Sequence, residues 1–444
     1  MANIILVTHW TGGDVYPFIR YGSLLHSEGH NVTIFTHCKY EPDALNSGLK
    51  FVAVDTPEEY EQISHDLYNL SDPFGNRDEY LNFHKTYHGK ERLLREVGLI
   101  EKECSADTII ISRFRSSVSG QLVAEKNHLR YASLNLAPNF FSHMELHDQL
   151  FGSDFLEDIN AARVALDLPK VNNWKDWLYS PKTILCGWPE WYATSDETWP
   201  EGAYMLGFFE DKKQREDNPP CLLPDTQALI DNVKAEGKKC IIITGGSSRL
   251  INKEFYNTAI DAVAMTGDAG FIVSPFEDLL PSPLPENIFW TPNAPMRAMM
   301  KVSDLIIHHG GIGTINEAVD NALPQVVLPH MADRPDNADR LFNMGIALKF
   351  PPKYWNPQLI CDEIKGFLTD DTIALCEEYQ LKNEAEYKAK KWLSIIDQLS
   401  IYELPKQEDD NRDNQLVDDS KSDISRKRML ELLKRKRMLS ANDK

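Results

Sequence analysis

No Cys-x-x-Cys pair occurs in this chain of 444 residues, and its seven cysteines are odd in number and far apart. That spacing offers neither a disulfide framework nor a zinc knuckle; reduced thiols in a cytoplasmic setting are expected. No stretch approaches the roughly 18 to 20 unbroken apolar residues that span a bilayer. The opening Met1-Ala2-Asn3-Ile4-Ile5-Leu6-Val7-Thr8 has no basic leader and no small-residue cleavage site. It reads as a strand, not a signal peptide, so Asn31-Val32-Thr33 and Asn69-Leu70-Ser71 are expected to carry no glycan. Basic side chains are scarce: 47 Lys and Arg stand against 67 Asp and Glu, a net charge of −20. The shortage is sharper before residue 405, because residues 405–444 hold nine acidic and eleven basic side chains. So acidic a body lacks the basic surface that phosphate backbones require, which argues against nucleic acid as the partner.

What is present reads as two domains. A length of 444 residues, 42% hydrophobic, exceeds one ordinary core. The apolar run Ile4 to Thr8 leads into the turn Thr11-Gly12-Gly13-Asp14. A helical pattern follows, with Phe18, Tyr21, Leu24 and Leu25 apolar, then Gly29 as a C-cap and the β-branched run Asn31 to Thr36. This βαβ unit predicts a parallel sheet with helices on its faces. Further strands are expected at Phe51 to Val54, Thr108 to Ser112 and Tyr131 to Leu136. The aromatic and histidine-rich stretch Tyr60 to His88 reads as surface helix and loop or as part of a substrate pocket. Residues 210–224 are charged and then proline-rich, as linkers are. A second α/β series follows, with strands at Cys240 to Thr244, Gly270 to Ser274, Asn287 to Trp290, Leu305 to His308 and Gln325 to Leu328. Two doubly wound α/β domains place ligands at the carboxyl ends of the strands, in the cleft between them.

The densest chemical signal is His308-His309-Gly310-Gly311-Ile312-Gly313-Thr314, between an apolar strand and a helical pattern. Glycines let backbone N–H groups approach an anion, and the helix adds its positive end. His309 and Thr314 can donate to phosphate oxygens, giving a diphosphate cradle without lysine or metal. It is neither a P-loop nor the Gly-x-Gly-x-x-Gly fingerprint. Glu317, near the expected first helical turn, either accepts from ribose hydroxyls or stabilises the helix N-terminus. Asp333, after the next strand, is a sugar-hydroxyl ligand or an N-cap. Asp14 is an N-cap or, facing an apolar cleft, a base for an attacking hydroxyl.

Together these segments resemble a known family. Gly13-Asp14-Val15-Tyr16-Pro17 with Gly29-His30-Asn31-Val32-Thr33 resembles the opening of family 1 glycosyltransferases of GT-B fold. It is most similar to the sterol and antibiotic-aglycone enzymes, which carry Gly-Asp-Val-x-Pro. The stretch from Pro295-Met296-Arg297 through the double histidine to Asn337-Ala338 resembles the family's nucleotide-sugar signature, and the similarity runs patchily over residues 3–400. The resemblance implies two Rossmann-like domains, at 1–209 and 225–375, joined by a 210–224 linker, with helices at 376–404 packing back on the first. It implies inverting transfer from a UDP- or TDP-sugar to a hydroxyl of a lipophilic or aromatic small molecule, with no metal or other cofactor. Asp14 falls at the catalytic position. Ser247, Pro295, Met296, His309, Gly311, Gly313, Thr314 and Glu317 fall at nucleotide and diphosphate positions, and Asp333 and Arg334 at the sugar. The acceptor side is carried by the first domain, where His9, Trp10, Phe140, Phe141 and His143 are candidates.

The sequence departs from the family at two places. Plant members have Gln after the sugar-binding Asp, where this chain has Arg334. The fourth-strand carboxylate that orients a catalytic histidine is missing near Ser112-Arg113, so Asp14 is expected to act unaided. Trp290 is core or rim. A nucleotide-sugar 2-epimerase shares the architecture, and a silent nucleotide-sugar-binding partner protein is a third reading; Gly-Asp-Val-x-Pro and Asp333 favour transfer. Beyond Leu404, residues 405–424 are polar and expected to be disordered. Ser425 to Leu439 mixes seven basic residues with Met and Leu. It reads as a solvated tail or as a basic helix for weak contact with a carrier protein or an anionic membrane surface.

Overall fold

The computed structural model describes residues 1–67, 76–210, 221–292 and 294–404. Among these residues the strands form two all-parallel sheets. The first contains β1 (Asn3–Val7), β2 (Asn31–Thr36), β3 (Lys50–Ala53), β4 (Ile109–Arg113), β5 (Arg130–Asn135), β6 (Ile184–Cys186) and β7 (Ala203–Met205), paired in the order β3-β2-β1-β4-β5-β6-β7. The second contains β8 (Cys240–Thr244), β9 (Ala269–Ile272), β10 (Ile288–Trp290), β11 (Leu305–His308), β12 (Gln325–Val327) and β13 (Ala347–Lys349), in the order β10-β9-β8-β11-β12-β13. Central strands such as Ile109-Ile110-Ile111 and Ile241-Ile242-Ile243 are buried on both faces. Continuous β-branched runs are what a helix-covered parallel sheet requires.

Strand order reverses between β1 and β4 in the first sheet and between β8 and β11 in the second. Ile4 pairs with Ile109 and Leu305 with Ile241 across these switch points. Connections leave such neighbours toward opposite faces, which opens a crevice at their carboxyl ends. The chain at the carboxyl ends of β1, β4, β8 and β11 borders this crevice. Asp14, Arg113, Ser247 and His309 stand there.

Three strands that no pattern in the sequence announces are β6, β7 and β13. Each is three residues long, too short to display a period. Pro224, counted with the linker above, is the first residue of the helix Pro224–Ala235. Proline fits there because that N–H has no partner in the helix. The Tyr60 to His88 stretch contains the helix Arg77–His88 and most of Pro57–Leu67. Residues 211–220 of the linker and 405–444 of the tail lie outside the described residues.

After the second domain the chain returns to the first. Trp392, Ile395, Ile396 and Leu399 join the core formed by Ile4, Leu6, Tyr21 and Leu134. The Tyr21 hydroxyl donates to the Trp392 carbonyl at 2.9 Å. Tyr131 N–H donates to Ser400 O, and Tyr402 N–H to Leu129 O.

Candidate active site

The helix Gly12–Ser27 starts earlier than Asp14, so Asp14 is not its N-cap. Thr11 is the N-cap and Asp14 the third helical residue. Its Oδ2 accepts from Thr11 N at 3.1 Å and from Thr11 Oγ1 at 3.0 Å, half of a capping box. The expectation of an unaided Asp14 is also corrected. Arg113, the last residue of β4, places Nη2 2.7 Å from Asp14 Oδ1. A carboxylate offers about four lone-pair positions. Among the described residues three are occupied, which leaves one on Oδ1.

The second domain presents its loops opposite. Gly246, at φ +82, turns the chain after β8 in a conformation that side chains with a Cβ avoid. The His309 ring packs into the space this leaves: a Cβ on Gly246 would stand 2.6 Å from His309 Cε1, and one on Gly311 2.5 Å from Nε2. Gly311 caps the helix Ile312–Asp320, with Gly313 and Thr314 in its first turn. Pro295 caps the helix Met296–Val302 beside it, and both Pro295 and Met296 are partly buried. His308 points elsewhere. It is fully buried, accepts from Gly310 N–H at Nδ1 and meets Gln325 Oε1 at Nε2. Of the two histidines, His309 is the one set against the glycine turns.

The two loop sets approach closely. A Cβ on Gly12 would lie 3.1 Å from Ser247 Oγ. A cavity of about 170 Å3 between them is lined by Trp10, Thr11, Gly12, Tyr60, Ser247 and Leu250. Asp333 accepts from Asn337 Nδ2 at 2.8 Å. Burial raises its pKa, Arg334 opposes the rise and the facing Asp14 adds to it. Asp333 sits at the N-cap position of the helix Arg334–Asn343 but makes no side-chain cap bond. Arg334 is buried, and its Nη1 donates to the Leu250 carbonyl at 2.8 Å. It ties two loops together through Nη1. Glu317 lies in the second turn of its helix, so the helix-end role is overturned. Its carboxylate meets Arg20 of the first domain at 3.2 Å and Arg297 at 3.4 Å.

On the acceptor side the candidates separate. Trp10 lines the cavity at φ +88, a strained value for a bulky residue. Its N–H donates to His37 Nε2 at 2.8 Å, which fixes His37 as the Nδ1–H tautomer facing Asp55. Phe140 is partly buried between Arg113 and Arg115. Phe141 belongs to the core against Phe114, Trp188 and Trp199, and His143 is exposed. His9 is buried, with Ser117 Oγ 2.7 Å from Nδ1 and Glu96 Oε1 3.1 Å from Nε2. Burial would raise the Glu96 carboxyl, but His9 and Arg92 overcome it and hold the pKa well below the usual range. Among the described residues no group of three or more His, Cys, Asp or Glu side chains is arranged to hold a metal ion.

Residues 264–390 match the model of the C-terminal domain of erythromycin biosynthesis protein CIII-like proteins. A sterol 3-beta-glucosyltransferase of Pichia angusta is 24% identical over 93% of this chain, which spans 36% of that protein's length. The solved glycotransferase of kitacinnamycin superposes with a TM-score of 0.70 at 17% identity, over 90% of this chain and 99% of that one. The glycosyltransferase VinC, solved with dTDP, gives 0.64 at 17%, over 89% and 100%. This chain has the GT-B fold. Its two sheets are the two halves of that fold. No described helix of the GT-B chain is long and apolar enough to cross a membrane.

Sequence reasoning missed Arg113, Glu96, Arg20 and Asp55 as site partners. Each reaches its partner through tertiary contact, with no local motif to mark it. An acid sensitivity of the GT-B chain is expected from His308. Burial lowers the His308 pKa to about 4, against the Gln325 bond that favours charge. An unfolded histidine titrates near 6.5. The unfolded state therefore binds more protons below that pH, and stability is lost as pH falls from 6.5 toward 4. The loss from this group is up to about 1.4 kcal/mol per pH unit. His308→Gln is expected to flatten that part of the stability–pH curve, measured by scanning calorimetry.

Proposed function

We propose that the chain is an inverting, metal-independent O-glycosyltransferase, moving a sugar from a UDP- or TDP-sugar to a hydroxyl of a lipophilic or aromatic small molecule. The observation that carries this reading is the approach of the Gly12–Asp14 turn to the Gly246–Ser247 turn across the cleft. It sets a carboxylate with one open lone pair opposite glycine turns and a helix N-terminus suited to a diphosphate.

In this reading Asp14 takes the proton of the acceptor hydroxyl through Oδ1. The acceptor oxygen forms a bond to the anomeric carbon as the bond from that carbon to the diphosphate oxygen breaks, and the electron pair leaves with the diphosphate. His309, Thr314 and the end of the helix Ile312–Asp320 receive the developing charge. Asp333 holds sugar hydroxyls. Ribose hydroxyls exchange with Arg20 at Glu317, and Pro295 and Met296 border the base.

The test is calorimetric titration with UDP, TDP, GDP and ADP in EDTA. UDP or TDP is expected to bind without metal, and well ahead of the purine nucleotides. Absence of nucleotide binding would remove the donor site and the transferase reading with it. Sugar analysis of a donor-only incubation separates transfer from 2-epimerisation, which releases nucleotide with no acceptor present.

A further inference from the structure

Beside the Asp14 turn stands a cation with no acid. Arg115 follows β4 at φ +69, and its guanidinium carbon lies 4.6 Å from the centre of the Phe140 ring. Arg113 flanks the same ring at 5.7 Å, but Asp14 neutralises it. Arg115 is partly buried, and among the described residues its side chain makes no hydrogen bond or ion pair. Its charge is felt by Tyr80, His84, His147 and Tyr179. All four are neutral at ordinary pH: burial pushes the phenols up and the imidazoles well below their usual value. Glu145, the carboxylate whose charge also reaches Tyr179, is held by Lys175 at 2.6 Å and by Gln149.

A guanidinium drawn partly out of water without a counter-ion is destabilising. Groups kept at such a cost, next to a reactive carboxylate, are candidates for ligand binding. Arginine presents a planar fork that matches a carboxylate and stacks on aromatic faces. Arg113 lies between the two ends of this site, touching Asp14 on one side and sharing Phe140 with Arg115 on the other. Phe140 and Arg113 thus link Asp14 to Arg115.

We propose that Arg115 anchors a carboxylate on the acceptor, so that the substrate is an aromatic hydroxy acid whose hydroxyl meets Asp14. This deepens the transferase reading and rests on it. A chain of net charge −20 repels acids in general, so an acidic acceptor needs such a local cation.

The experiment titrates matched pairs by calorimetry: hydroxynaphthoate and its methyl ester, and hydroxybiphenyl carboxylate and its methyl ester. The proteins are the full chain, Arg115→Asn, chosen because asparagine tolerates positive φ, and Arg115→Lys. The full chain is expected to bind at least one acid about tenfold or more tighter than its ester. The preference should vanish in Arg115→Asn and survive in part in Arg115→Lys, with UDP affinity equal in all three. Absence of an acid preference in both pairs overturns the proposal, as does its survival in Arg115→Asn. A parallel loss of UDP binding in Arg115→Asn also overturns it, by assigning the arginine to the donor. An acid preference without sugar transfer to any acceptor supports the anchor and counts against the transferase reading alone.

Discussion

Asp14→Asn is expected to lower kcat by about two to four orders of magnitude while UDP or TDP affinity stays within about twofold of the parent. The amide keeps the size of the carboxylate and can still accept from Thr11 at its oxygen. It cannot take a proton from the acceptor, and it leaves Arg113 without a counter-charge. Both losses fall on the first domain, whereas the glycine turns proposed for the nucleotide belong to the second. Steady-state rates and nucleotide titration on the same preparation separate the two effects. A variant that keeps more than about a tenth of the rate would assign proton removal elsewhere. An Arg113→Lys variant refines the point: a partial loss there, with nucleotide binding intact, identifies Arg113 as the group that aims the carboxylate.

The second large effect belongs to His309. Its ring is buried between Gly246 and Gly311, where no other side chain enters without moving it. His309→Ala is expected to weaken UDP or TDP binding by about ten- to a hundredfold, the range for loss of a charge-assisted hydrogen bond. It should also reduce stability by about 1 to 3 kcal/mol, because the space between the turns is left empty. Burial, with Arg334 and His308 adding to it, holds the His309 pKa well below its ordinary value. The imidazole is therefore neutral across the physiological range and donates one N–H. Nucleotide affinity should accordingly show no histidine titration between about pH 6 and 8. Titrations at several pH values with a UDP- or TDP-sugar, whose diphosphate has no ionisation in this range, check this, and a step near the ordinary histidine pKa would count against the assignment.

The sheet cores were legible because parallel strands buried on both faces must be continuous apolar runs, as Ile109-Ile110-Ile111 and Ile241-Ile242-Ile243 are. The glycine turns were legible because several small residues in one short span, between an apolar strand and a helical pattern, mark a tight turn. Charge pairing was not. Arg113 follows an apolar run like any strand-ending residue, and nothing near it in sequence names Asp14 as its partner. Glu317 shows the same limit from the other side. Its helix was expected after the double histidine but starts earlier than Glu317 implied, and one partner of its carboxylate, Arg20, comes from the first helix of the other domain. Arg115 carries no pattern at all, and its interest lies in what fails to surround it.

The return of the chain to its first domain has a consequence for synthesis. Trp392, Ile395, Ile396 and Leu399 complete a core begun by Ile4 and Leu6, so that core is discontinuous in time as well as in sequence. As the protein emerges from the ribosome, the first sheet waits with one apolar flank open until nearly the whole second domain has been made. Two core clusters of the second domain lie between Ile230 and Leu368, and a third draws on Cys376 and Tyr379, so this domain can close sooner. The domain that is translated first is thus the one that finishes last, and its exposed flank is where a chaperone would be needed.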